Sequence, residues 1–509
     1  MYALFYALGW QMEHRHTCAS TNTLIQAGLL TLIFMPILAV LLFAAERVGN
    51  KEVSEKGFST IRAFGLILFS YSLMFMLVYP GILSYDSPYQ LMQVQSGEYS
   101  THHPLLHTLM LRFFSDIRVV VGSFRSGIAL YTIMQMVLLA FFFAQTCASI
   151  SRFSGRKAAM ASLVFFSIHP MHMVFSTIAT KDVLFAGAFV WMMALTIEIA
   201  GQKQNIRWNW KCVALMISGV FSCLMRNNMI YAVAVWIVLM IVFGRRYMRR
   251  MIILAVSIFC LASGFNRILV WATEAEKGDM REMLSLPVQQ IARLCDRAPQ
   301  RIESDERAKI AAAFDAGIAW SDYEPTLSDP IKERMHTDRI LEDATGYARL
   351  YMTLAKRCPD VFLDAAVELT SPFFYPYGRY DRVRLLIESQ TNYERLYQAM
   401  WTGCLEESER FGTVKNWMTE HLWNDGASDI PVVRWLFNTG LMVWIMLFFV
   451  LREIYAGRYK RFIIYMLPVL LWGTYLLGPI MNGRYAYVFL SLLPVLAAYP
   501  RKEKMQNLR

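Results

Sequence analysis

Charge is scarce in this 509-residue chain. Asp, Glu, Lys and Arg make up 17% of it, against about 25% in soluble domains, while hydrophobic residues reach 56%. The eight cysteines show no close-spaced metal pattern. There is no internal repeat and no low-complexity tract, so neither a solenoid nor a long linker is expected. A cleavable signal peptide is not expected either. Residues 1–12 are apolar but lack a basic start, and Glu13, Arg15 and two histidines follow. The first span, from about Thr23, is expected to act as an uncleaved signal anchor.

The sequence is rich in apolar runs, at 23–44, 61–79, 128–147, 158–175, 183–200, 251–271, 432–451, 462–480 and 485–499. Most are long enough to cross roughly 30 Å of hydrocarbon as a helix. In lipid such runs must be helical, because every backbone polar group has to find its partner within the segment.

The net charge of +11 is unevenly spread. Residues 272–430 hold 19 basic and 28 acidic residues, so the rest of the chain carries a net +20. Those basic residues cluster in short connections at 47–56, 152–157, 203–211, 245–250, 452–461 and 501–509. The positive-inside rule accounts for this pattern with membrane lipids as the surroundings and no nucleic-acid partner. It places these connections in the cytoplasm and 81–125, 177–182 and 272–430 outside. Between Lys211 and Arg245 two crossings are then required, and 212–225 and 229–244 supply them around the turn Arg226-Asn227-Asn228. A single helix would bury Arg226 in mid-membrane, at about 2.5 kcal/mol or more.

The fold class expected is an all-α polytopic membrane protein of about 11 transmembrane helices with a mostly helical extracytoplasmic domain. Residues 1–271 form an N-terminal transmembrane module, 272–430 the extracytoplasmic domain and 431–509 the C-terminal helices. The location is the cell inner (plasma) membrane, with the N-terminus outside and the C-terminus cytoplasmic. Within 272–430, helices are expected over 301–314 and 335–358, with turns at Pro287, Pro325 and Pro330 and aromatic clusters at 373–377 and 417–423. Cys147, Cys212, Cys223 and Cys260 lie in or beside apolar runs and read as small apolar residues. Cys295, Cys358 and Cys404 lie in the outward region, where any one of three pairings is open.

The polar chemistry concentrates in three places. The first is Tyr85-Asp86-Ser87-Pro88, followed by Gln90, Gln93 and Gln95 and then by Gly97-Glu98-Tyr99-Ser100-Thr101-His102-His103-Pro104-Leu105-Leu106-His107. A carboxylate just beyond a membrane exit can take a proton from an acceptor hydroxyl at the interface. Asp86 before Ser87-Pro88 also fits a helix N-cap, and one residue can serve both ends. His103 and His107 are four apart, a spacing that binds metal on a helix, and His102 is adjacent. The same groups fit hydrogen bonding to a substrate, and a divalent cation has no complete ligand set here.

The second place is His169-Pro170-Met171-His172 through Thr180-Lys181-Asp182. Lys181 and Asp182 offer a cation for a phosphate and a second carboxylate, or simply a snorkelling lysine and a helix cap. The third is cationic: Arg226 in its polar turn, and Arg484 at the mouth of the last run. An arginine on the outer side runs against the positive-inside bias. A phosphate head group would give it a bidentate partner, and so would an acid such as Asp86 or Asp182.

With those residues in view, the chain resembles the GT-C superfamily of membrane glycosyltransferases, and within it a bacterial branch of multi-pass proteins. The resemblance rests on Pro80-Gly81 before Asp86-Ser87…Gln90, Tyr99-Ser100…His102-His103-Pro104, Thr180-Lys181-Asp182-Val183-Leu184-Phe185 and Leu224-Met225-Arg226-Asn227-Asn228. It continues through Ser285-Leu286-Pro287-Val288-Gln289-Gln290-Ile291-Ala292-Arg293, Tyr323…Pro325…Ser328-Asp329-Pro330…Lys332 and Gly483-Arg484-Tyr485-Ala486-Tyr487. It covers about residues 60–495. It implies a polyprenyl-phosphate-linked sugar donor, an extracytoplasmic active site and a glycan, lipid or protein acceptor.

Asp86 would match the first-loop catalytic aspartate, Asp182 the second-loop acid and Arg484 a contact to the donor phosphate, with Arg226 or Lys181 assisting. Gln90, His102, His103, His107, Gln289, Gln290 and Arg293 would contact substrate. Many relatives carry two adjacent acids in the first loop. Here Ser87 follows Asp86, which weakens any inference of a metal there. Two other functions fit the same outward charges: a transporter or flippase of a lipid-linked polar substrate, and a non-catalytic partner in envelope assembly.

Overall fold

The computed structural model describes residues 1–48, 57–83, 86–117, 120, 122–201, 209–376, 413, 435–481 and 483–498. Tyr85, Tyr377, Cys404, Asn482, the aromatic cluster 417–423 and the basic runs 49–56, 203–208 and 501–509 lie outside the described residues.

The described chain is a helical membrane protein. Its N-terminal part comprises α1 (Tyr2–Arg15), α2 (Thr21–Val48), α3 (Thr60–Leu77), α4 (Ser87–Ser96), α5 (Leu105–Asp116), α6 (Phe124–Phe153), α7 (Arg156–Ile168), α8 (Pro170–Ser176), α9 (Lys181–Ala200), α10 (Trp210–Met225) and α11 (Met229–Thr273). Five helices among the described residues are long and apolar enough to cross a membrane: Thr21–Glu46, Thr60–Leu77, Phe124–Phe153, Lys181–Ala200 and Met248–Thr273. The pair α7 and α8, bent by 56° at His169-Pro170, makes a sixth if it counts as one broken span. Helices Trp210–Met225 and Met229–Gly244 are apolar but shorter.

Burial separates these helices by role. In the most apolar window of α9, 94% of residues are buried, whereas in that of α2 only 6% are. The α9 helix is the axis of the bundle and packs against α6, α10 and the last helix, α18 (Gly483–Ala497). On α2, Leu24, Leu29, Leu32 and Val40 point away from the protein. A helix that apolar and that uncovered fits lipid as its surroundings.

The stretch Met229–Thr273 is 45 residues long, and an unbroken helix of that length would span about 67 Å. It does not do so, because both of its ends meet Thr101. The Asn227 amide donates to the Thr101 carbonyl at 3.1 Å, and the Thr101 amide donates to the Glu276 carbonyl at 2.9 Å. The chain therefore runs out and back, with non-helical backbone at Met248 marking the reversal. Trp210–Met225 and Met229–Gly244 are the two short apolar segments expected on either side of Arg226-Asn227-Asn228.

The region after residue 273 builds a small core of its own from Val288, Ala292, Leu294, Ile331, Leu354 and Phe362. Its main helices are α12 (Ser285–Arg297), α13 (Ser304–Ala312), α14 (Ala344–Arg357) and α15 (Pro359–Thr370). Two expectations are corrected here. Pro287 does not make a turn but sits in the first turn of α12, where its missing N–H costs nothing. The helix expected over 335–358 is broken. Asp343 ends Thr337–Glu342 and caps α14 through the Gly346 amide at 3.0 Å. Cys295 and Cys358 are both free thiols. Two more helices, α16 (Thr439–Tyr455) and α17 (Tyr459–Tyr475), precede α18.

Charges gather at both ends of the bundle. Helices α9 and α18 each begin at the polar cluster described below and run away from it. At their far ends, Glu198 receives Arg152 at 2.6 Å and Lys211 at 2.5 Å, while Arg452 and Arg461 donate to the Leu496 and Ala498 carbonyls. Glu453 and Glu46 hold Arg458 in the same group. The described basic connections at 152–157, 211 and 452–461 thus share one end, and Asp86, Lys181, Arg226 and Arg484 share the other.

Candidate functional site

The site is assembled by a very small piece of sheet. Residues Ile82–Leu83 (β1) pair in parallel with Ile178–Ala179 (β2), Ile82 opposite Ile178 and Leu83 opposite Ala179. Three residues beyond β1 is Asp86, and two beyond β2 is Lys181. The ladder therefore sets the first and second loops side by side, which the sequence could not establish. Gln135 of α6 supports β2 from below, its side-chain amide donating to the carbonyls of Ser176 at 3.0 Å and Ile178 at 2.7 Å. Gly81 enters the ladder with φ +118°, and a Cβ there would stand 2.2 Å from Thr132 Oγ1. Thr132 itself donates to the Pro80 carbonyl at 3.0 Å, so Pro80-Gly81 is fixed by both conformation and close contact.

Asp86 occupies the cap position of α4, but its side chain makes no cap hydrogen bond. The carboxylate turns toward the bundle instead. Its Oδ1 accepts from Arg484 Nη1 at 2.8 Å, and its Oδ2 lies 2.5 Å from Lys181 Nζ and 3.9 Å from His103 Nδ1. Burial by itself would raise the carboxyl, but Arg484 and Lys181, with His103, hold it well below the usual carboxylate range. His103 goes the other way. Burial first, then neighbouring Lys181, lower its imidazole to about 2, although Asp86 favours the charged form.

A second pair stands directly behind the first. Asp182 is 2% exposed and Arg226 8%. Arg226 Nη1 is bonded to Asp182 Oδ1, and its guanidinium lies over the rings of Tyr475 at 4.4 Å and Tyr485 at 4.6 Å. Arg484 Nε is 3.9 Å from Asp182 Oδ2, and Arg484 Nη2 donates to the Tyr485 hydroxyl at 2.8 Å. The cap of α9 is Thr180, whose hydroxyl accepts from the Asp182 amide. Asp182 is thus free of the capping role and joins the two arginines.

In front of Asp86, Lys181 and Arg484 opens a cavity of about 1490 Å³. His102, His103, Asn227 and Tyr485 share its wall, and residues 277–280, Glu282, Met283, Asp329, Lys332 and Glu333 of the region after residue 273 close over it. That cover is tied down by backbone. The Ser328 amide donates to the Pro479 carbonyl at 3.0 Å, and Leu327 bridges Ile480 in antiparallel fashion. Lys332 is 3% exposed and bonds Glu282 at 2.8 Å and Asp329 at 2.7 Å. Of these, Asn227, Asp329 and Lys332 lie in motifs legible in the sequence, but nothing there assigns them to this wall. Glu282 carried no signal.

Not every candidate reaches the cavity. The helical spacing of His103 and His107 does not exist, because Pro104 stands before α5 and leaves His103 outside it. His107 is buried, with Nδ1 at 2.7 Å from Gln90 Oε1 and Nε2 at 2.7 Å from the Tyr131 hydroxyl. Gln90 completes that network by donating to Thr108 Oγ1 at 2.8 Å. Gln289 donates to the Glu324 carbonyl at 2.7 Å and Gln290 to that of Phe362 at 3.0 Å. Arg293 bonds Glu368 and, at 2.9 Å, the His16 carbonyl. These five side chains hold helices together and do not line the cavity. His169 and His172 are likewise buried in the bundle, the latter 3.0 Å from the Tyr487 hydroxyl.

Among the described residues no three His, Cys, Asp or Glu side chains gather to hold a metal ion. At the cavity Asp86 lies beside His103, but both oxygens of Asp86 are already engaged by cations.

These features define an all-α membrane protein with a charged cavity at one end of its bundle. The chain belongs to a family of unknown function, DUF6020, whose model matches residues 29–508. No curated protein and no solved structure matches it.

Proposed function

We propose that this protein is a membrane glycosyltransferase of GT-C type, moving a sugar from a polyprenyl-phosphate carrier to an extracytoplasmic cell-envelope acceptor. The observation that carries the reading is the meeting of Asp86, Lys181 and Arg484 at the mouth of one cavity. A carboxylate beside two cations is what an inverting transfer to a hydroxyl from a phosphate leaving group requires. The acceptor oxygen attacks the anomeric carbon as its proton passes to Asp86. The bond from that carbon to the phosphate oxygen breaks, and its electron pair leaves with the lipid phosphate, where Arg484 and Lys181 balance the charge. Asp182 and Arg226 touch no reacting atom in this scheme. They set the position of Arg484 and Tyr485 from behind.

In this reading about 11 helices cross the membrane, the cavity end faces outward, and the N-terminus and residues 272–430 lie outside with the C-terminus cytoplasmic. A flippase would use the same cations but needs a polar route through the bundle. The axial helix α9 is apolar and buried along that route, from Val183 to Ile197, with Thr196 its only polar side chain, which supports the enzyme. Asp86→Asn tests the assignment. At normal expression the variant should lose at least a hundredfold of its glycan product, within the range general-base removal produces. Full transfer by the variant would refute Asp86 as the base.

A further inference from the structure

Asp86 has no oxygen to spare. Arg484 holds one at 2.8 Å and Lys181 the other at 2.5 Å. Both cations line the cavity beside it. A carboxylate so clamped is a poor acceptor of a proton, since protonation would cost two charge-assisted contacts. The cations are equally constrained, because any anion arriving in the cavity finds them already paired.

From this geometry we infer that Asp86 is the resident competitor for a phosphate group. A phosphate-bearing ligand binds by taking Lys181 and Arg484 from Asp86, and only then is the carboxylate released to act. Binding of the phosphate and exposure of the base are one exchange of partners, so the phosphate ligand must bind before acceptor chemistry begins. Asp182 favours the exchange. It lies 3.9 Å from Arg484 Nε and remains as a counter-ion when Arg484 swings from Asp86. The inference rests on the transferase reading for the use made of the freed base, but not for the exchange itself.

The exchange has a counter-intuitive consequence. Removing the carboxylate should tighten phosphate binding while abolishing activity. Binding of farnesyl phosphate and, separately, of inorganic phosphate would be measured calorimetrically on the full chain in detergent. Asp86→Asn should bind at least one probe about tenfold tighter than wild type, and Asp86→Glu, which keeps the charge, within about threefold of it. Arg484→Gln should weaken binding at least tenfold.

Tightening with both probes assigns the site to the phosphate alone, and tightening with farnesyl phosphate alone assigns it to a lipid-borne phosphate. Should Asp86→Asn not survive purification, Asp86→Ser must show the same gain. Unchanged or weaker binding of both probes by a folded variant would overturn the inference. Tightened binding by Asp86→Asn together with no sugar transfer by the wild type would remove the transferase reading and leave the exchange standing. Sugar transfer with unchanged phosphate affinity would do the reverse.

Discussion

A single aspartate shows how far residue type decides role. Asp86 precedes Ser87-Pro88, a pattern that favours a helix cap, and it stands at the cap position without capping. Two cations brought from residues 181 and 484 outcompete the local amides for its oxygens. The sequence offered both roles; the choice came from partners about 95 and 398 residues away. The histidines went the same way. Four-residue spacing suggested a shared helical face, but Pro104 separates them and each finds its own surroundings.

His107 is buried and neutral, lowered to about 3 chiefly by burial and next by Lys181, while Asp86 pulls the other way. An unfolded histidine titrates near 6.5, so below that pH the unfolded chain binds a proton that the folded chain refuses. Stability therefore falls as pH drops from about 6.5 toward 3, by up to about 1.4 kcal/mol per pH unit. His103 adds a parallel loss. His107→Gln should show a smaller drop in melting temperature between pH 7.5 and 5.5 than wild type in the same detergent. An equal drop would mean His107 is protonated in the folded protein.

At the scale of elements, the helices were legible and their neighbours were not. Apolar runs and the polar turn at Arg226-Asn227-Asn228 marked α3, α6, α9, α10 and the out-and-back pair within Met229–Thr273. Hydrophobic periodicity cannot announce a two-residue ladder, and β1 and β2 are too short to carry an alternating pattern. Yet that ladder sets Asp86 beside Lys181. It depends on Gly81, whose positive φ and contact with Thr132 admit no side chain. Gly81→Ala should cost about 2–4 kcal/mol of stability, or detach the ladder and leave Asp86 unpaired. Thermal unfolding, together with hydrogen exchange at the Ile82 amide, which donates to the Thr177 carbonyl at 2.9 Å, reads both outcomes. Wild-type melting and protection in the variant would contradict this account of Pro80-Gly81.

At the scale of the whole molecule, the uneven charge of the sequence becomes two separate clusters. Basic connections meet Glu198, Glu453 and Glu46 at one end, and the cavity with its covering region stands at the other. In the proposed reading the positive-inside rule puts the basic end in the cytoplasm. Asp305→Cys, on α13, should react with a membrane-impermeant maleimide from outside intact spheroplasts, and Tyr459→Cys only after permeabilisation. The reverse pattern would invert the topology and turn the cavity toward the cytoplasm. The long region could be read as helical and acidic from sequence. Its closure over the site could not, because it depends on Leu327, Ser328 and the backbone at Pro479-Ile480.

The central claim is chemical, and sugar transfer by the purified protein tests it most directly. The chain would be reconstituted in liposomes with a radiolabelled polyprenyl-phosphate sugar and an envelope extract as acceptor. Wild type should release the lipid phosphate and place the label on the acceptor, and Asp86→Asn in the same liposomes should fall at least a hundredfold short. Equal transfer by the two proteins would contradict the account.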